Sequence, residues 1–103
     1  MTFQQLKYFV TAARFGSINQ AAEHLYTHQS NISNAVRQLE EEFSIQLFER
    51  NSKGVQLTTA GREFLAYAQD LVRKKEDLEK LYQVRTKCNP QHFSVAAMRY
   101  FFA

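Results

Sequence analysis

Between Asn19 and Thr58 the chain reads NQAAEHLYTHQSNISNAVRQLEEEFSIQLFERNSKGVQLT, and this stretch decides the fold. It holds two short amphipathic helices, a tight connection and then a small hairpin. Tyr26-Thr27-His28 is the connection, and the helix after it spans about 29–42. At about 100° per residue, Ile32, Ala35, Val36, Leu39 and Phe43 fall in one arc of that helix. Gln29, Ser30, Ser33, Asn34 and Arg37 fall in another. An ordinary exposed helix face carries Glu and Lys, which favour helix. Ser and Asn compete for backbone hydrogen bonds and are poorer helix formers. Their concentration on an outward face points to contact work, with side chains able to bond base edges and phosphates.

Upstream, Thr2 and Gln5 have the spacing of a capping box, and Phe3, Leu6, Phe9, Val10 and Ala13 recur at helical intervals. A first helix over about 3–15 follows, stopped by Gly16. Ser17 caps the next helix, with Gln20 placed for a second box. Ile18, Ala21, Ala22 and Leu25 form its apolar stripe, and the two alanines suit a close helix crossing. Downstream, Leu47 to Arg50 and Val55 to Leu57 flank Asn51-Ser52-Lys53-Gly54, a hairpin around a turn. Thr58 or Thr59 then caps a long helix to about 86. Phe64, Ala68, Leu71, Lys75, Leu78, Tyr82 and Arg85 alternate along it at spacings of four and three, a seam of coiled-coil type. At about 1.5 Å per residue such a helix is about 40 Å long, more than a three-helix core can cover. Its seam calls for a second copy. Cys88-Asn89-Pro90 reads as a hinge, and Phe93 to Met98 as one strand without a partner strand.

Composition narrows the classes. The chain has 103 residues, 45% apolar, with three Gly, one Pro and one Cys. That is room for one small domain with a modest core. A lone Cys88 fits a reducing compartment. MTFQQLKYFV lacks the pattern of a signal peptide, and no apolar run approaches a membrane span. These features lead us to expect a cytoplasmic chain without a membrane partner. The net charge of +3 is no argument for nucleic acid by itself. Residues 1–58 balance Lys7, Arg14, Arg37, Arg50 and Lys53 against Glu23, Glu40, Glu41, Glu42 and Glu49. The excess lies entirely in residues 59–103.

The pattern closely resembles the N-terminal DNA-binding domain of LysR-type transcriptional regulators. Leu6, Phe9, Gly16-Ser17, Ala21-Ala22, Leu25, Gln29, Ser33, Val36, Leu39-Glu40, Leu47-Phe48, Arg50, Leu57-Thr58 and Gly61 carry the resemblance. It runs without a gap from Met1 to about Leu65 and loosely to Val84. It implies a mainly α fold: a winged helix-turn-helix of three helices and a β-hairpin wing over residues 1–58, then a linker and dimerisation helix over 59–87. Residues 88–103 become a hinge and the opening strand of an effector-binding domain. The third helix would lie in the major groove of double-stranded DNA, with the wing beside the neighbouring minor groove. A homodimer would form through the long helix at Phe64, Ala68, Leu71, Leu78 and Tyr82. A small-molecule inducer would enter only with a C-terminal domain.

Three departures from the family pattern stand out. Ser44 takes a position usually held by Gly, where a left-handed backbone costs Ser about 1 kcal/mol or more. His28 stands where Ser usually caps the third helix, leaving Thr27 or the backbone to serve. Asn34 replaces a frequent Arg or Lys, which alters sequence preference.

Candidate contacts sort by element. Gln29, Ser30, Ser33 and Asn34 face base edges or phosphates, and Arg37, a turn further on, faces phosphate. Ser17 and Asn19 begin the second helix, where hydroxyls and backbone N–H groups can hold a phosphate; Ser17 also caps. Arg50 reaches the duplex from the wing or pairs with Glu40-Glu41-Glu42, and Lys53 reaches into or along the minor groove. Thr58 serves as a cap, a phosphate ligand or both. His24, His28 and His92 have no metal-gathering spacing, and no nucleophile–base pair or carboxylate cluster suggests an enzyme or a cofactor. A rival from another class is an interaction protein that pairs with full-length relatives through the long helix.

Overall fold

The first helix, α1 (Phe3–Phe15), begins at a reciprocal box. The Gln5 N–H donates to Thr2 Oγ1 at 3.1 Å, and the Thr2 N–H donates to Gln5 Oε1 at 3.0 Å. Gly16, in the left-handed region, closes it by donating to the Ala12 carbonyl. The computed structural model describes residues 1–52 and 54–88, with side chains as far as Gln83. Lys53 and the expected opening strand Phe93 to Met98 lie outside the described residues, as do Asn89 and Pro90 of the expected hinge.

Ser17 caps α2 (Ile18–Leu25) by accepting from the Gln20 N–H at 3.1 Å. Among the described residues the return bond of a full box is made at Thr2–Gln5 alone, so the second box is half formed. Tyr26 ends α2 in the left-handed region and α3 (Gln29–Phe43) starts three residues on. His28 gives α3 no side-chain cap, and the Asn31 N–H bonds the His28 carbonyl at 3.1 Å instead. Ser44 closes α3 at φ 54°, the strained conformation expected there.

The wing is an antiparallel pair, β1 (Phe48–Asn51) and β2 (Gly54–Leu57). Asn51 and Gly54 are strand partners rather than turn residues, so the hairpin is tighter than the sequence suggests. The Val55 N–H donates to the Gly16 carbonyl at 3.3 Å, which docks β2 on the α1–α2 turn. Gly54, at φ 130°, sits so close that a Cβ there would stand 2.5 Å from the same carbonyl oxygen.

The chain divides into two compact units, the first ending at Val72. In the first, Leu6, Phe9 and Val10 of α1 meet Ala21 and Ala22 of α2, Ile32, Val36 and Leu39 of α3, and Leu47 and Phe48. Phe9 is the hub, its ring 5.2 Å from Phe48 and 5.5 Å from Phe64. Burying one such ring contributes about 2–3 kcal/mol, and each ring pair about 1 kcal/mol more. The long helix, α4 (Thr59–Cys88), adds Ala68 and Val72 to this core, with Phe64 and Leu65 packed against it. Cys88, expected to open the hinge, is the last helical residue.

Two expectations about packing are corrected. Phe43, assigned to the arc with Ile32 and Leu39, is 41% exposed, because as the last helical residue of α3 it overhangs the core and meets the Phe64 ring at its edge. The single seam along α4 splits in two. Phe64 and Ala68 turn toward the core of their own chain, and Val72 joins them although the seam passes it over. Leu71 stays 49% exposed. At about 100° per residue, Leu71 lies about 60° to one side of Ala68 and Val72 about 40° to the other. The core takes the side of Val72 and leaves Leu71 out. In the second unit Leu78 and Leu81 are exposed, Tyr82 is half-buried, and Lys75 bonds Glu79 at 3.0 Å.

Candidate nucleic-acid interface

Burial of Ile32, Ala35, Val36 and Leu39 fixes the roll of α3 and leaves the opposite arc outward. Gln29, Ser30, Asn34 and Arg37 are exposed, and Ser33 is half-buried between them and the wing. The arc is not loose. Gln29 Nε2 donates to Asn19 Oδ1 at 2.7 Å, tying the starts of α2 and α3 together. Arg37 donates through Nη2 to Asn34 Oδ1, one turn back on the same helix. The carboxamide of Gln29 has two N–H donors, so with one spent on Asn19 it keeps one donor and its oxygen. That donor–acceptor pair is what an adenine edge accepts in the major groove.

Between α3 and β1 lies a cleft of about 560 Å³ lined by Ser33, Val36, Arg37, Glu40, Gln46, Phe48 and Arg50. Arg50 is exposed, and among the described residues it forms no ion pair with Glu40, Glu41 or Glu42. The reading of Arg50 as a partner of that acidic run is therefore overturned. Glu42 pairs instead with the Met1 amino group at 2.6 Å. Arg37 and Arg50 thus stand along one cleft with charge available to an anion.

Glu40 is the residue that sequence reasoning missed. Its Oε2 accepts from the Leu47 N–H at 2.8 Å and the Phe48 N–H at 3.4 Å. The signal for it was slight: a carboxylate in the last turn of a helix, followed by a short loop whose amides need acceptors. Gln46 was also missed; its Nε2 donates to the Phe48 carbonyl at 3.0 Å.

Thr58 is a structural residue. Its hydroxyl accepts from the Gly61 N–H at 2.9 Å, capping α4, and donates toward the carbonyls of Gln46 and Leu47. Its one proton is directed at these carbonyls, so the capping half of the expectation has a geometric basis. Ser17 likewise spends an acceptor position on the cap of α2, next to the Asn19–Gln29 bond. On the other flank of α3, a neutral cleft of about 460 Å³ is lined by Thr2, Gln4, Gln5, Tyr8, Asn31, Asn34, Ala35 and Gln38. It offers hydrogen bonds without charge. Among the described residues no group of three or more His, Cys, Asp or Glu could hold a metal ion, and no helix is long and apolar enough to cross a membrane.

Three helices around one core, a second helix that braces a third, and a hairpin docked beside that third helix define a winged helix-turn-helix protein. The profile of the family described as bacterial regulatory helix-turn-helix protein, lysR family, matches residues 3–62. The chain belongs to the LysR family. The HTH-type transcriptional regulator CitR of Bacillus subtilis (strain 168) is 40% identical over 86 residues, covering 82% of this chain and 30% of the regulator. TfdS of Cupriavidus pinatubonensis, a regulator of the same type, is 42% identical over 72 residues, covering 70% of this chain and 24% of its own length. The chain thus spans about a quarter to a third of these relatives. Among solved structures, the CbnR DNA-binding domain in complex with DNA superposes with a TM-score of 0.75 at 31% identity, over 84% of this chain and 99% of that one. The BenM DNA-binding domain with its catB site 1 DNA gives 0.77 at 32%, over 84% and 97%.

Proposed function

We propose that this chain binds double-stranded DNA sequence-specifically and regulates transcription as a homodimer in the cytoplasm. The observation that carries this is the outward arc of α3, short, polar and unburied, set beside a wing whose Arg50 lines the same cleft as Arg37. Domains of matching length and fold, those of CbnR and BenM, have been solved with DNA. The third helix enters the major groove with Gln29, Ser30, Ser33 and Asn34 toward the bases. Arg37, Arg50 and Lys53 meet phosphates or the minor groove, and Asn19 and Ser17 border the backbone at the start of α2. Phosphate contacts supply affinity and base contacts supply choice. The dimer forms through the exposed side of α4, where Leu71 and Leu78 remain uncovered and Tyr82 is half-buried.

Anisotropy titrations of selected and random duplexes test this reading. Arg37→Ala should weaken binding about tenfold on every sequence, as loss of a phosphate contact does. Gln29→Ala should relax preference roughly tenfold at one base pair and spare the rest. If both variants keep full affinity and selectivity, α3 is not the groove helix.

A further inference from the structure

We propose that Glu40 is a positioning residue of the DNA-reading surface: its carboxylate straps the start of the wing to the recognition helix and so sets where Arg50 stands relative to Arg37. The inference rests on the reading of α3 and the wing as the duplex-binding surface. Arg37 and Glu40 are three residues apart and share one stripe of α3. The first looks to the cleft as a cation, and the second anchors the other wall. Glu40 Oε2 takes the amides of Leu47 and Phe48, the two residues at which the chain enters β1. Both are buried, which seats this junction in the core. Arg50 follows Phe48 by two residues, which returns it to the same side of the strand about 7 Å further out. A rotation of the wing at its root therefore displaces the guanidinium at its far end.

The strap also disposes of a charge. A carboxylate in a cleft with two arginines would ordinarily neutralise one of them. Turned toward backbone amides, Glu40 ion-pairs with neither among the described residues. The cleft is left with two cationic side chains and a spacing held by hydrogen bonds. Its ligand is the phosphodiester backbone of the strand that separates the groove entered by α3 from the groove beside the wing.

The test uses the full chain with Glu40→Gln, Glu40→Ala, Arg50→Ala and the double variant E40A/R50A. Amide hydrogen exchange, which needs no DNA, should quicken across residues 47–57 in Glu40→Ala while α1 amides keep their protection. In anisotropy titrations of a short duplex, Glu40→Ala and Arg50→Ala should each flatten the slope of log K against log salt by about 0.9. The double variant should bind no worse than either single variant. Glu40→Gln, which keeps an acceptor oxygen, should restore most of the affinity. A Glu40→Ala protein with a lower melting temperature but an unchanged salt slope overturns the proposal, as does a double variant losing the product of the single losses. An unchanged slope in Arg50→Ala, with the wing loosened by Glu40→Ala, overturns it through the DNA reading and leaves the strap standing.

Discussion

Two residues hold the helix-turn-helix together in a conformation that suits neither. Tyr26 at φ 55° and Ser44 at φ 54° are the non-glycine residues with positive φ among those described. Each ends a helix and redirects the chain, from α2 into α3 at Tyr26 and from α3 into the loop before the wing at Ser44. The left-handed region costs a residue with a Cβ about 1–2 kcal/mol, and glycine escapes that cost while losing some entropy on folding. Ser44 is exposed, and its backbone N–H rather than its side chain closes the helix on the Glu40 carbonyl. Ser44→Gly should therefore stabilise the protein by about 0.5–1 kcal/mol, seen as a melting temperature higher by roughly 2–6 °C. Tyr26 is 97% exposed and buries almost nothing, so Tyr26→Gly should bring a similar gain. A fall in melting temperature for either variant would show that the side chain makes a stabilising contact. The strain at Ser44 was readable only through the resemblance, which puts Gly at that position. That at Tyr26 was not, since a tyrosine in a three-residue connection carries no mark of its backbone angle.

At the level of elements, what could be read from periodicity was local, and what could not be read was which face meets which neighbour. The three short helices follow from caps and apolar spacing, and Thr2, Gly16 and Ser17 act where their side chains or backbones predict. The outward arc of α3 was legible because burial of Ile32 and Leu39 fixes its opposite. The split of the α4 seam was not, because Phe64, Ala68, Leu71 and Leu78 look alike along a line and differ only in what lies beside them. The Glu40 strap was hidden for a related reason: a glutamate in an acidic run looks solvated until the loop folds back on it. Gly61 is another such case. It sits in the first turn of α4 where that helix crosses the loop into the wing, and a Cβ there would stand 2.1 Å from the Leu47 carbonyl oxygen. That oxygen also accepts the Thr58 N–H, so it has little room to retreat. Gly61→Ala, otherwise favourable in a helix, should cost about 2–3 kcal/mol through forced displacement of backbone. Urea unfolding would record it as a lower midpoint, whereas an unchanged midpoint would mean that α4 can slide away from the wing.

For the whole molecule, neutrality of residues 1–58 conceals a segregation of charge. Residues 29–38 of α3 carry one charged side chain, Arg37, whereas Glu40, Glu41 and Glu42 crowd its last turns. The acids are partly spent, Glu40 on amides and Glu42 on the Met1 amino group. Affinity for a polyanion then rests on a few cations at defined places, and one such domain carries only a few phosphate contacts. Doubling the contacts is the route to useful affinity, since two linked heads add their binding through effective concentration. The exposed leucines of α4 are what would link them. Leu71→Glu with Leu78→Glu should abolish the dimer in sedimentation experiments, because a glutamate in an apolar seam leaves a charge without a partner. The melting temperature of the helix-turn-helix unit should change little, since Leu71 is exposed in it and Leu78 lies outside it. On a duplex with two half-sites the paired substitution should weaken binding at least tenfold and roughly halve the salt slope. Ala68→Glu supplies the contrast: at 1% exposure it should unfold the core rather than separate the copies of a dimer. A double variant that still sediments as a dimer would move the interface off this side of α4.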